Sequence, residues 1–273
     1  MIVRTVTLSP FEDATLTTIC ISNTSELKQS PRRAVIVFPG GGYSIVSDRE
    51  AEPVAAKFLA AGFATFILRY SVGKMAGELR PLKEAALAMK YVREHAAEFN
   101  VDPDYVFTCG FSAGGHAAGA IGVYWNHPAV REALGPDTPA EVARPTGMIL
   151  CYPVITGSPL THLHTLQRWT GAEEPTEEQR DAFSLEKHVD ATTPPAFLWH
   201  TFSDGAVPVQ NSLFFADAMT RAGVPFEMHI YPAGHHGLSL ADEQVACGNP
   251  GGIIPHVQSW VPLATRWVTD FTK

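Results

Sequence analysis

A serine stands between two glycines in Gly110-Phe111-Ser112-Ala113-Gly114, with the apolar run Tyr105-Val106-Phe107-Thr108-Cys109 before it and a helix-like stretch rich in alanine and glycine after it. Strand, sharp turn and helix in that order constrain the chain severely. A turn this tight forces the serine into a strained backbone conformation, and side chains at the flanking positions collide with the strand and helix that it joins. The hydroxyl is thereby held up at the edge of a sheet, the placement that a nucleophile elbow requires.

The rest of the chain alternates in the same way, which predicts an α/β fold: a mostly parallel central sheet with helices on both faces. Residues 2–8 and 14–21 read as edge strands. Ala34-Val35-Ile36-Val37-Phe38 is a β-branched run ending in Pro39-Gly40-Gly41-Gly42-Tyr43, residues 50–61 have helical spacing, and Phe63 to Tyr70 reads as a strand. Pro81 to Phe99 carries apolar residues every three or four positions, as in a helix packed on a sheet. Further strands are expected at 147–152, 196–200 and 226–230, and further helices at 209–222 and 256–271. Residues 157–190 break the alternation. They are acidic, contain the capping-box pattern Thr176-x-x-Gln179, and predict a small helical lid. With no repeat or interdomain linker, residues 1–273 read as a single domain carrying that insertion.

Composition narrows the partners. Lys and Arg number 20 against 28 Asp and Glu, a formal charge of −8, and nothing gathers the basic residues into a stripe, so nucleic acid is not an expected partner. Tyr105 to Val130 holds no Asp, Glu, Lys or Arg, but its glycines, His116 and Pro128 fit a buried strand and helix better than a membrane span. No membrane partner is expected. Cys20, Cys109, Cys151 and Cys247 are far apart and read as buried free thiols. Met1-Ile2-Val3-Arg4-Thr5 has no basic stretch followed by an apolar core, so the expected location is cytoplasmic.

A serine attacks an acyl group only with a base in hydrogen-bond reach and a carboxylate to orient that base. In folds of this order both follow later strands, just past their C-terminal ends. Asp204 follows the strand near 196–201 and His236 follows the strand near 226–230, giving the order Ser112, Asp204, His236. Spacing alone does not separate His236 from His235; Asp190 and Asp217 are weaker candidates for the acid. The N–H of Ala113 and those of Gly41 and Gly42 are candidate oxyanion donors, because glycines let the main chain approach substrate closely. His116, four residues after Ser112, is expected to pack or hydrogen-bond beneath the elbow. Ser184-x-x-Lys187 imitates another nucleophile motif but lacks its partners in the right order. His162-x-His164 lacks Cys or carboxylate neighbours at ligand spacing, so no metal site is expected.

With these residues in place, the chain resembles the α/β-hydrolase superfamily, and within it small carboxylesterases related to acetyl xylan esterases and bifunctional feruloyl/acetyl xylan esterases. The resemblance rests on Pro39-Gly40-Gly41-Gly42-Tyr43, Ser47-Asp48-Arg49-Glu50, Leu68-Arg69-Tyr70, Gly110 to His116, Cys151-Tyr152-Pro153-Val154, Asp204-x-x-Val207-Pro208 and His236-Gly237-Leu238-Ser239-Leu240. It implies hydrolysis of short acyl esters of small molecules, acetyl groups on sugars among them, with no metal or organic cofactor. It favours His236 over His235; the lid and Tyr43 are expected to shape a small pocket. One departure stands out: relatives often carry a histidine beside the glycine run, where this chain has Phe38 and Pro39, which leaves the bracing of that loop open. A peptidase of the prolyl oligopeptidase type, a ligand-binding protein on an inactive hydrolase scaffold, and assembly as a homo-oligomer all remain compatible with the sequence.

Overall fold

Along Ala34 to Phe38 successive side chains enter opposite cores: Val35 and Val37 one, Ala34, Ile36 and Phe38 the other, all fully buried. A strand apolar on both faces needs cover on both, and the computed structural model, which describes residues 1–272, provides it with helices. The eight strands are β1 (Ile2–Leu8), β2 (Phe11–Cys20), β3 (Arg32–Phe38), β4 (Ala64–Arg69), β5 (Val101–Phe111), β6 (Met148–Cys151), β7 (Ala196–Thr201) and β8 (Phe226–Tyr231). They lie in the order β1-β2-β4-β3-β5-β6-β7-β8; β1, β2 and β4 pair antiparallel and every later pair is parallel. This is the α/β-hydrolase fold.

The helices are α1 (Glu52–Ala60), α2 (Arg80–Glu94), α3 (Ala96–Phe99), α4 (Ala113–Val123), α5 (Pro128–Leu134), α6 (Leu163–Thr170), α7 (Glu177–Phe183), α8 (Gln210–Ala222), α9 (Glu243–Ala246) and α10 (Trp260–Asp270). α1, α9 and α10 cover one face, while α2, α4 and α8 cover the other. The sequence pattern located the major elements, but β2 is not an edge strand, since it pairs with both β1 and β4; α5, which starts with the His127 Nδ1 accepting the Ala129 N–H at 3.1 Å, was not expected. Among the described residues no helix is long and apolar enough to cross a membrane. Cys20, Cys109 and Cys151 are buried free thiols, but Cys247, just past α9, is exposed: it follows a short surface helix rather than a strand.

Between β6 and β7 the chain makes the expected helical excursion, with α6, α7 and the capping box: Thr176 Oγ1 accepts the Gln179 N–H at 3.2 Å, and Gln179 Oε1 accepts the Thr176 N–H at 3.0 Å. The excursion is bolted to the body. Asn211 Oδ1 on α8 accepts the N–H groups of Ile155 and Thr156. Ser184 Oγ accepts the Gly157 N–H and donates to the Arg180 carbonyl, so the serine of the misleading Ser184-x-x-Lys187 pattern is structural.

One buried charge makes stability depend on pH. Glu84 on α2 is fully buried and accepts the Ser71 N–H at 2.8 Å and the Ser71 hydroxyl. Burial pushes its carboxyl up from the ordinary 4.5 to about 7. Between those values the folded protein keeps a proton that the unfolded chain has released, so stability falls as pH rises through that window and flattens above it. Glu84→Gln is expected to remove a slope worth about 3 kcal/mol in total. Urea midpoints measured from pH ~5 to ~8 check this, and equal slopes in both proteins sink it.

Candidate active site

Ser112 is the hinge between β5 and α4, at φ 53° and ψ −119°. Three main-chain bonds hold that strain: the Ser112 N–H donates to the Cys151 carbonyl (3.1 Å), and the Ser112 carbonyl accepts from His116 (3.0 Å) and Val154 (3.1 Å). The flanking glycines are required by contact. A Cβ on Gly110 would lie 2.2 Å from the Gly114 carbonyl oxygen, and one on Gly114 would lie 2.1 Å from that of Phe38.

Beyond β7 and β8 two loops bring Asp204 and His236 to the serine. His236 Nε2 lies 2.7 Å from Ser112 Oγ, and His236 Nδ1 lies 2.7 Å from Asp204 Oδ2. A carboxylate only accepts, so Nδ1 carries the proton and the Nε2 lone pair faces the serine hydroxyl. Asp204 Oδ1 accepts the N–H groups of Ala206 and Val207, each at 2.9 Å. Burial alone would raise this carboxyl, but hydrogen bonds from His200 and His236 and the Val207 N–H outweigh it and hold the group well below the usual carboxylate range. His200 escaped the sequence reading. It is fully buried, with Nδ1 on Ser212 Oγ (2.8 Å) and Nε2 on the Val207 carbonyl (2.9 Å), 3.4 Å from Asp204 Oδ2. The rival residues lie elsewhere: His235 is exposed, Asp190 binds Thr192 and Thr193, and Asp217 pairs with Arg221 on α8.

The glycine loop after β3 passes directly over the serine, since a Cβ on Gly40 would lie 3.0 Å from Ser112 Cβ. Its bracing comes from outside the loop. Glu50 Oε2 accepts the Gly40 N–H at 2.8 Å, and the Tyr70 hydroxyl donates to the Pro39 carbonyl. Glu50 Oε1 accepts the Tyr152 hydroxyl at 2.6 Å, and that oxygen in turn accepts the Ser239 N–H at 2.9 Å. The Tyr152 ring stands edge-on to His236, with centroids 5.1 Å apart. Next to Glu50, Arg49 donates to the carbonyls of Gly237 and Val245. One short segment thus ties the glycine loop to the histidine loop. With Gly40 engaged by Glu50, the N–H groups of Gly41 and Gly42 have no acceptor among the described residues, and Ala113 opens α4 beside Ser112. Gly41 and Gly42 adopt φ 126° and 63°, the left-handed region that glycine tolerates.

Tyr43 departs from expectation. At φ 56° its ring turns inward, fully buried against Tyr70 and Trp169, and its hydroxyl bonds to His116 Nδ1 at 2.9 Å. It props the loop from beneath rather than facing a substrate.

A family model described as BD-FAE matches residues 23–219. The chain belongs to the BD-FAE family. It is 37% identical over 229 residues to an endo-1,4-beta-xylanase B of Butyrivibrio fibrisolvens, covering 81% of this chain and 35% of that protein. To an acetylxylan esterase of Xylanibacter ruminicola it is 30% identical over 240 residues, covering 86% of this chain and 46% of the other. The chain therefore spans between a third and a half of the length of these two curated relatives. Solved structures align over nearly all of it. An acetyl ester-xyloside bifunctional hydrolase from Caldicellulosiruptor lactoaceticus has a TM-score of 0.80 at 34% identity, covering 96% of this chain and 89% of that one. A carboxylesterase from Lactobacillus plantarum has a TM-score of 0.85 at 27% identity, covering 99% and 98%.

In this BD-FAE chain the inserted helices lean on the elbow through His116. Its ring stacks on Phe183 (3.9 Å between centroids), meets Trp169 edge-on (4.7 Å), and places Nε2 3.0 Å from the Phe183 carbonyl. Burial pushes its pKa down to about 3, so it stays a neutral bridge from the Tyr43 hydroxyl to the insertion. His162 and His164 approach the glycine loop rather than forming a metal pair: His164 Nε2 lies 2.6 Å from Ser44 Oγ. The signals for Glu50, Arg49 and Tyr152 were present in the motifs but carried no role, because their partners lie in distant segments.

Proposed function

We propose that this chain is a serine carboxylesterase that hydrolyses short acyl esters, acetyl esters first among them, through an acyl-enzyme. The observation carrying this reading is the continuous relay from Asp204 to His236 to Ser112, with both links at 2.7 Å. Ser112 Oγ attacks the ester carbonyl while His236 Nε2 takes its proton, and Asp204 holds the imidazole in the required tautomer and stabilises the imidazolium. His236 then returns the proton to the departing alkoxide, and water repeats the sequence to release the acid. The N–H of Ala113, with that of Gly41 or Gly42, receives the oxyanion; the free donors of the glycine loop and its braced passage over Ser112 support that role.

The relatives named as an acetylxylan esterase and an acetyl ester-xyloside hydrolase support an acetylated xyloside or xylo-oligosaccharide as the substrate. The test is twofold: a fluorophosphonate probe labels Ser112, and purified protein hydrolyses p-nitrophenyl esters with rates falling from acetyl to longer chains. An unlabelled Ser112 together with no ester turnover sinks the reading; cleavage of a peptide anilide in preference to the acetate would turn it towards a peptidase.

A further inference from the structure

His162 immediately precedes α6 in the insertion, on the side facing the catalytic loops. Its ring is half-buried and fixed: Nδ1 lies 2.7 Å from the hydroxyl oxygen of the buried Thr165, and Nε2 has no partner among the described residues. The ring carbon between the two nitrogens, Cε1, is 3.8 Å from where a Cβ on Gly42 would stand, so the imidazole lies against the loop that covers Ser112. Burial and the nearby charges of His236 and His164 hold His162 below its ordinary pKa. The ring is therefore a neutral donor and acceptor within reach of the charge on His236. A permanent cation there would oppose the imidazolium that forms on His236 during acyl transfer, whereas a neutral imidazole hydrogen-bonds hydroxyl groups without that cost.

The side of the ester involved follows from the chemistry. His236 must hand its proton to the leaving alkoxide, so a group that lies against the glycine loop and feels the charge of His236 is placed to meet the alcohol half rather than the acyl half. Beyond His164, which borders it, Gln167, Arg168 and Glu173 of the insertion and Lys74 after β4 line a polar cleft of about 740 Å³.

We propose that His162 is a specificity-determining residue whose Nε2 hydrogen-bonds a free hydroxyl on the alcohol half of the ester, selecting acyl groups carried on neutral polyhydroxylated alcohols of the glycosyl class. The proposal rests on the esterase reading above and adds to it the residue that reads the alcohol. The side chain holds and orients substrate; the bonds made and broken remain those at Ser112 and His236.

The test compares kcat/KM of the wild type, His162→Phe and His162→Gln on two acetates: a mono-O-acetylated methyl xyloside with free hydroxyls, and p-nitrophenyl acetate, whose alcohol has none. Loss of one hydrogen bond to substrate is expected to lower His162→Phe roughly tenfold on the xyloside. On p-nitrophenyl acetate the same variant stays within about twofold of wild type, which also shows that it is folded, and His162→Gln recovers most of the xyloside activity. Equal losses on both acetates, or no loss on either, overturn the assignment. A wild type inert towards both, with Ser112 unlabelled by fluorophosphonate, overturns the esterase reading beneath it.

Discussion

Asp204→Asn is expected to lower kcat by about 10⁴-fold while leaving the fold intact, the same order as in other enzymes that use this relay. The surroundings leave the asparagine amide only one orientation. Asp204 Oδ1 accepts two backbone N–H groups, from Ala206 and Val207, so the amide oxygen must stay there and the NH₂ must take the place of Oδ2 opposite His236. A donor facing Nδ1 forces the imidazole proton onto Nε2, the atom 2.7 Å from Ser112 Oγ, where a lone pair is needed. The base is then present but in the wrong tautomer. His200, 3.4 Å from Oδ2, adds a second donor that the asparagine cannot answer. Ser112→Ala is expected to remove at least as much, since among the described residues His236 holds no other hydroxyl. Turnover of p-nitrophenyl acetate with parallel fluorophosphonate labelling measures both, and an Asp204→Asn enzyme within tenfold of wild type would falsify the relay. The depressed carboxyl also bears on acid stability. Asp204 stabilises the fold above its unfolded pKa of about 4 and loses that contribution only as pH falls towards its lower folded value.

Glu50→Ala is expected to lower kcat by about 10²-fold or more with little change in KM, comparable to losing an oxyanion donor. Glu50 touches no substrate position; it acts through the Gly40 N–H and the Tyr152 hydroxyl. Removing the carboxylate leaves both donors buried without an acceptor, at a cost in stability of about 3 kcal/mol. The glycine loop then moves to find water, and its free N–H groups leave the position over Ser112. Glu50→Gln separates the roles. Its single amide oxygen can serve Gly40 or Tyr152 but not both, so turnover should recover part of the way while KM stays near wild type. Steady-state kinetics on the three proteins checks the split. If Glu50→Ala loses stability but keeps kcat, the carboxylate is a structural brace with no hold on the oxyanion donors.

The elbow was legible because its signal is local. Strand, glycine, serine, glycine and helix are contiguous, and the contacts that exclude a Cβ at Gly110 and Gly114 arise from the elbow itself and the neighbouring β3 end. Asp204 and His236 were legible by position, each following a strand that its own pattern identified. Spacing alone did not separate His235 from His236, since adjacent residues differ only in which way the loop turns; the resemblance to the family pattern made that choice. The inward turn of Tyr43 was hidden for the same reason: a left-handed φ at one residue reverses its side chain, and nothing in the glycine run announces it.

By itself, then, the sequence determined the alternating sheet-and-helix architecture, the strained serine and the two strand ends from which His236 and Asp204 come. These follow from periodicity and steric exclusion, which act between near neighbours. Only the tertiary structure decided what holds those parts in register: Glu50 and Arg49 joining the glycine loop to the histidine loop, His200 beside Asp204, His116 under the insertion and His162 against Gly42. A hydrogen bond depends on ångström-scale distance and angle, and side chains on different elements or turns acquire those only once the core has packed.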